Sequence, residues 1–82
     1  MEIILKDEAR KSLRKIAPKD VAKVKKKLAL LPSNPLAGKM LSGEFYGVRS
    51  LRAWPLRILY TFDPDKQVIV VEAIEYRGQV YK

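Results

Sequence analysis

An 82-residue chain has room for one domain with one small core and no second; with 48% hydrophobic and 32% charged residues it is too apolar for wholesale disorder. It has no Cys and no His, which excludes a disulfide framework, a thiolate or imidazole metal site and the commonest acid–base side chain. Seventeen Lys and Arg against nine Asp and Glu give a formal charge of +8, which draws polyanions by long-range field and counterion release; RNA, DNA or an acidic protein are the natural partners.

The chain opens on Ile3-Ile4-Leu5, an apolar run too short for a helix and suited to a buried or half-buried strand. Its first residues carry no basic segment followed by a long apolar one, and no later run approaches the ~20 apolar residues of a membrane span. The expected location is the cytoplasm, with no membrane contact. From Asp7, which can cap a helix start, Ala9, Leu13, Ile16 and Ala17 recur at helical spacing while Arg10, Lys11, Arg14 and Lys15 take the remaining face. Pro18 ends that helix and suits the first turn of another, in which Val21, Val24, Leu28 and Leu31 repeat at three or four residues until Pro32. The basic residues of these helices, with Lys19, Lys23, Lys25, Lys26 and Lys27, form a solvated face that can also add affinity for RNA without sequence choice.

Pro32, Asn34, Pro35, Gly38 and Gly43 then mark a turn-rich connection in which Met40 and Leu41 could anchor the loop to the core. Beyond it Val48–Ala53, Leu56–Phe62 and Val68–Tyr76 are β-branched and aromatic runs, separated by Trp54-Pro55 and by Asp63-Pro64-Asp65-Lys66. Short connectors favour antiparallel neighbours. The reading is an α+β domain over residues 1–82 of order β-α-α-β-β-β: two N-terminal helices packed on a twisted, mainly antiparallel four-stranded sheet.

Five segments carry a resemblance in sequence order: Leu30-Leu31-Pro32-Ser33-Asn34-Pro35, Lys39-Met40-Leu41-Ser42-Gly43, Gly47-Val48-Arg49-Ser50-Leu51-Arg52, Leu56-Arg57-Ile58-Leu59-Tyr60 and Tyr76-Arg77-Gly78-Gln79-Val80-Tyr81. Each is weak alone, yet the ordered set spans nearly the whole chain and agrees with the element order. It resembles the RelE/ParE toxins of type II toxin–antitoxin systems. The resemblance implies two helices on a twisted antiparallel sheet, and a metal-independent ribonuclease, without cofactor, that cleaves messenger RNA in the ribosomal decoding site. It also implies inhibition by a cognate antitoxin, RelB-like or other, in a hetero-oligomer that binds operator DNA through the antitoxin.

Metal-free RNA cleavage needs a base for the 2′-hydroxyl, positive charge for the phosphorane-like transition state and help for the departing 5′-oxygen. Arg57 and Arg77 match the family's two recurrent arginines, whose planar, permanently charged forks suit a phosphate gaining negative charge. Tyr81 matches its C-terminal tyrosine; the ordinary phenol pKa of about 10 has to be lowered by neighbouring arginines for a base, and otherwise it orients or stacks. Arg49 and Arg52 are second candidates, as contacts to RNA phosphates or bases. The plainer alternatives are a structural pair of Arg57 with Glu72 or Glu75, an exposed strand-end charge at Arg77, and Tyr81 packed on the sheet edge. Tyr46 and Trp54 can stack on bases, although single aromatics more often fill a core or a hairpin bend.

The chain departs from the nuclease pattern at Val48 and Ser50, where the family carries lysines, at Tyr76 in place of a histidine, at Leu56 in place of an aromatic, and at Trp54-Pro55 in place of a glycine-aspartate bend. The family's second branch, gyrase poisons of the ParE kind, shares the fold without the nuclease residues, so fold alone leaves the target open. A decayed, inactive toxin is the third alternative.

Overall fold

The computed structural model describes residues 1–76. Strand β1 (Glu2–Leu5) leads into helix α1 (Asp7–Lys15), then helix α2 (Pro18–Leu30), the two-residue strand β2 (Lys39–Met40), and strands β3 (Arg49–Ala53), β4 (Leu56–Asp63) and β5 (Val68–Tyr76). They form one sheet of order β1-β5-β4-β3-β2. β1 lies parallel to β5, with Ile3 opposite Ile69, and every other pairing is antiparallel. The sheet thus has five strands rather than four. The extra one is the Lys39–Met40 edge, which pairs with Ser50 and Arg49 and is too short and too exposed to show period-two alternation.

The helices form as their sequence directs, with one correction. Asp7 occupies the first helical position rather than the cap, which falls on Lys6 without a side-chain bond; its carboxylate still favours the positive end of α1. Pro18 stands in the first turn of α2, where its missing N–H costs no helical bond. Ala9, Val24 and Leu31 then meet Leu56, Ile58, Tyr60, Ile69, Val71 and Ile74 in the core. Among the described residues no helix is long and apolar enough to cross a membrane.

Strand alternation sends Leu56, Ile58 and Tyr60 toward the helices, with their partners Ala53, Leu51 and Arg49 on β3. On β5 the same face takes Ile69, Val71 and Ile74, an interval of two and then three, because a bulge interrupts the β4–β5 ladder: Leu59 faces Ala73 and Tyr60 faces Val71, leaving Glu72 as the additional residue. The bulge resets the face. Past it Arg57 stands opposite Glu75, on the side of the sheet away from the helices.

The loop after α2 is fastened through its backbone. The Tyr60 hydroxyl, fully buried, donates to the Pro35 carbonyl and accepts the Gly38 N–H, both at 2.8 Å. Gly38 is required by this approach, since a Cβ there would sit 2.8 Å from Tyr60 Cε1 and 2.9 Å from the hydroxyl. Met40, expected to anchor the loop, is 40% exposed on the sheet edge, and Leu41 is half-buried. Tyr60 does that work because a hydroxyl can satisfy two loop backbone groups that a thioether cannot.

Candidate functional site

β2 covers only Arg49 and Ser50, so the β3 edge from Leu51 onward is left open, and a cleft of about 650 Å³ wraps around it. Its polar lining is Lys27 from α2, Lys39 from β2, Ser42, Ser50 and Arg52 from β3, and Arg57 from β4; Ala37, Met40, Leu41 and Leu51 supply the apolar part. Four cations and no carboxylate border it among the described residues. That is an anion site by composition.

The two arginines come together by register. Arg52 lies directly opposite Arg57 in the β3–β4 ladder, on the face away from the helices, and directly opposed residues stand roughly 5 Å apart at Cβ. Like charges so placed repel and weaken the pairing. A bound phosphate would relieve that repulsion, because each guanidinium can present a planar fork of donors to it. On the third strand of the same rung Glu75 faces Arg57, so a carboxylate offsets part of the charge from the other side. Of the two carboxylates the sequence offered Arg57, Glu72 is engaged elsewhere: its Oε1 lies 2.7 Å from Lys6 Nζ and its Oε2 accepts the Thr61 hydroxyl at 3.3 Å.

Arg49 and Arg52, grouped by the sequence, are separated by the fold. Arg49 shares the helix side with Tyr60, and its Nη1 donates to the Gly38 carbonyl at 2.8 Å and the Leu36 carbonyl at 3.4 Å. It ties down the loop that carries Lys39. Arg77 and Tyr81 lie outside the described residues. Tyr76, which stands at the expected histidine position, reaches to the helix side, where its hydroxyl donates to the buried Asp20 carboxylate at 3.3 Å. Trp54 at the β3–β4 bend and Tyr46 are 56% and 80% exposed, so neither fills the core. Sequence reasoning passed over Lys39, embedded in a segment read as loop, and grouped Lys27 with the solvated helical face that can add affinity for RNA without placing it at this cleft. Helical spacing did place Lys27 among basic residues, but its nearness to the sheet edge depends on how α2 docks. Among the described residues no three His, Cys, Asp or Glu side chains are grouped to hold a metal ion.

Two helices on this sheet, with a cationic cleft at its β3 edge, define the scaffold of the small basic toxins. The sequence model for the ParE toxin of the type II toxin–antitoxin system parDE matches residues 3–81, and the chain belongs to that family, within the RelE/ParE superfamily of type II toxins. No curated protein sequence matches it. Among solved structures it is similar to the toxin–antitoxin complex RelBE2 from Mycobacterium tuberculosis, with 29% identity over 93% of this chain and 96% of that one, at a TM-score of 0.86. It is also similar to the isolated Escherichia coli RelE toxin, with 25% identity over 96% and 88% and a TM-score of 0.74. The YoeB/ParE toxin from Agrobacterium tumefaciens shares the fold at 18% identity over 94% and 99%, with a TM-score of 0.82.

Proposed function

We propose that this toxin is a metal-independent endoribonuclease that cleaves messenger RNA on the ribosome by attack of a 2′-hydroxyl on the adjacent phosphate. The observation that carries the reading is the Arg52–Arg57 pair, two permanently charged forks on one rung at a cleft without carboxylates among its described lining. A phosphodiester reacting there gains negative charge as it becomes five-coordinate, and two guanidiniums held in place stabilise that charge more than the ground state. Lys39 and Lys27 extend the field to flanking phosphates. Arg77 adds a further guanidinium, and Tyr81 supplies a phenol to the scissile ribose. Arg49 serves by holding the loop that presents Lys39 rather than by touching RNA. The exposed basic residues of the helices, Arg10, Lys11, Arg14, Lys19, Lys23, Lys25 and Lys26 among them, provide a surface for ribosomal RNA.

The partners that follow are message on the ribosome and an antitoxin. Steering by the +8 charge favours an acidic antitoxin segment that covers the basic surface. The M. tuberculosis and E. coli relatives were solved as RelBE complexes, which supports a RelB-like antitoxin, repressing the operon through its own DNA contacts.

The test is expression with and without the antitoxin, mapping message ends on translating ribosomes. Arg57→Ala and Arg77→Ala are each expected to lower cleavage at least about tenfold, the ~1.4 kcal/mol that one lost transition-state contact exceeds. Intact message in toxic cells refutes the nuclease. A gyrase-directed poison is the second reading, favoured by the ParE character of the matching family model and by Val48 and Ser50 in place of lysines. A DNA-damage response with intact message identifies it, and harmless overexpression identifies a decayed toxin.

A further inference from the structure

Resting on the nuclease reading, we infer that the indole of Trp54 is a stacking platform for one base of the message, carried by a nucleotide that flanks the phosphate held at Arg52 and Arg57. Among the described residues the exposed aromatics are Trp54 and Tyr46, and the two stand at opposite ends of β3. Trp54 begins the two-residue bend that joins β3 to β4. The first rung inside that bend, Ala53 with Leu56, is sealed in the core, and the second is Arg52 with Arg57. Two residues of extended chain cover at most about 7 Å, so the Trp54 backbone lies within that distance of Arg52. The period of two that turns Arg52 away from the helices and Ala53 toward them gives the next position, Trp54, the side of Arg52.

A nucleotide bound through its phosphate leaves its base in need of a partner. Guanidinium forks grip phosphate oxygens and are indifferent to the base. The described lining of the cleft that presents them contains no aromatic ring, so a stacking surface has to come from its surroundings, and Trp54 adjoins both arginines in sequence. An unpaired base gains free energy on a flat π-surface, and an indole is the largest that a side chain offers. This one is held in place: Ala53 and Leu56 anchor both ends of the bend, and the Pro55 ring fixes one backbone torsion, so little freedom is lost when a base comes to rest on it. Every base has a π-face, so the stack adds hold without choosing among bases. Trp54-Pro55 also replaces the glycine-aspartate bend of the nuclease pattern, which makes the platform a property of this chain rather than of the shared scaffold. Tyr46 is placed for a different neighbourhood, since it follows the Gly43–Phe45 turn and lies beyond the Arg49 end of β3.

The experiment measures single-turnover cleavage on programmed ribosomes over a range of toxin concentrations. It uses an ordinary message and two others, in which the nucleotide on the 5′ or the 3′ side of the scissile phosphate lacks its base. An abasic nucleotide keeps ribose, 2′-hydroxyl and phosphate, so only stacking and base contacts are removed. Trp54→Leu, which keeps apolar bulk and loses the flat ring, is expected to need at least about fivefold more toxin for half-maximal rate on the ordinary message, whereas Trp54→Phe stays within about threefold of wild type. Removing the base at one of the two positions should raise that concentration at least about fivefold for the wild type and less than about twofold for Trp54→Leu, whose partner surface is already gone.

Base removal that affects wild type and Trp54→Leu equally at both positions overturns the inference, as does a Trp54→Leu toxin within about twofold of wild type on the ordinary message. A residue that only packs the bend would be served by leucine and would show no coupling to the base. Should Trp54→Leu melt at lower temperature, Trp54→Met carries the same comparison, and equal effects again overturn it. Tyr46→Leu is expected to respond to base removal as the wild type does; coupling there in place of Trp54 overturns the placement. Wild-type toxin that leaves the ordinary message intact removes the nuclease reading itself, whereas active wild type without coupling at Trp54 removes only the stack.

Discussion

Tyr60→Phe isolates the contribution of one hydroxyl to the scaffold of the cleft. The ring remains, so packing with Leu31, Ile58 and Ile69 is kept, and only the bonds to the Pro35 carbonyl and the Gly38 amide are lost. Each bond contributes about 1 kcal/mol net, and a buried amide left without an acceptor costs about 1–3 kcal/mol. Since some loop relaxation lets water reach Pro35, the expected loss is about 2–3 kcal/mol. An 82-residue domain has about 4–12 kcal/mol in total, so this is a large share. At about 4–8 °C per kcal/mol for a domain of this size, the melting midpoint should fall by about 8–24 °C. Urea unfolding followed by tryptophan fluorescence and circular dichroism measures it, and hydrogen exchange at the Gly38 amide should accelerate beyond the change expected from global stability. A loss under about 0.5 kcal/mol, within the range of ordinary surface substitutions, would refute the tether. The variant should also cleave message more slowly, because the loop it frees carries Lys39.

Further substitutions separate scaffold from chemistry. Gly38→Ala drives a methyl against the Tyr60 ring and should cost about 1–3 kcal/mol in the same unfolding assay, as overpacking does. Arg52→Ala removes one of two opposed like charges, so the midpoint should hold or rise while cleavage falls at least about tenfold; Arg49→Ala should instead lower stability by about 1 kcal/mol or more through its bonds to the loop carbonyls. Asp20→Asn and Tyr76→Phe, combined in a double-mutant cycle of urea unfolding, should show a coupling of at least about 0.5 kcal/mol, and strict additivity would deny that their 3.3 Å bond matters.

How much of the site was legible depends on which force placed each residue. Arg57 could be singled out because it matches one of the two arginines that recur in the family the chain resembles, while its apolar strand setting left a structural pairing with Glu72 or Glu75 as the alternative. Arg49 and Arg52 were grouped by their charge, although three residues apart on one strand they fall on opposite faces; pairing with Tyr60 and Arg57 decided which of them meets the helix side. Glu72 and Glu75 were likewise interchangeable as partners of Arg57 until the bulge chose between them. Lys27 and Lys39 were invisible as site residues because they approach one another only through the docking of α2 and the two-residue edge strand.

Local chemistry by itself determined the order of the two helices and four longer strands, the helix boundary at Pro18, the apolar stripes that became the core and the polyanion-seeking charge, because turn residues, periodicity and charge act within a few neighbours along the chain, whereas the family was legible only through the resemblance of its ordered motifs. Tertiary structure alone decided the fifth strand, the fastening of the 35–40 loop by Tyr60, and the single rung that aligns Arg52, Arg57 and Glu75. The physical reason is that a strand's side chains alternate with period two, so one bulged residue exchanges the faces of everything beyond it, and no count along the sequence reveals where the ladder takes that step.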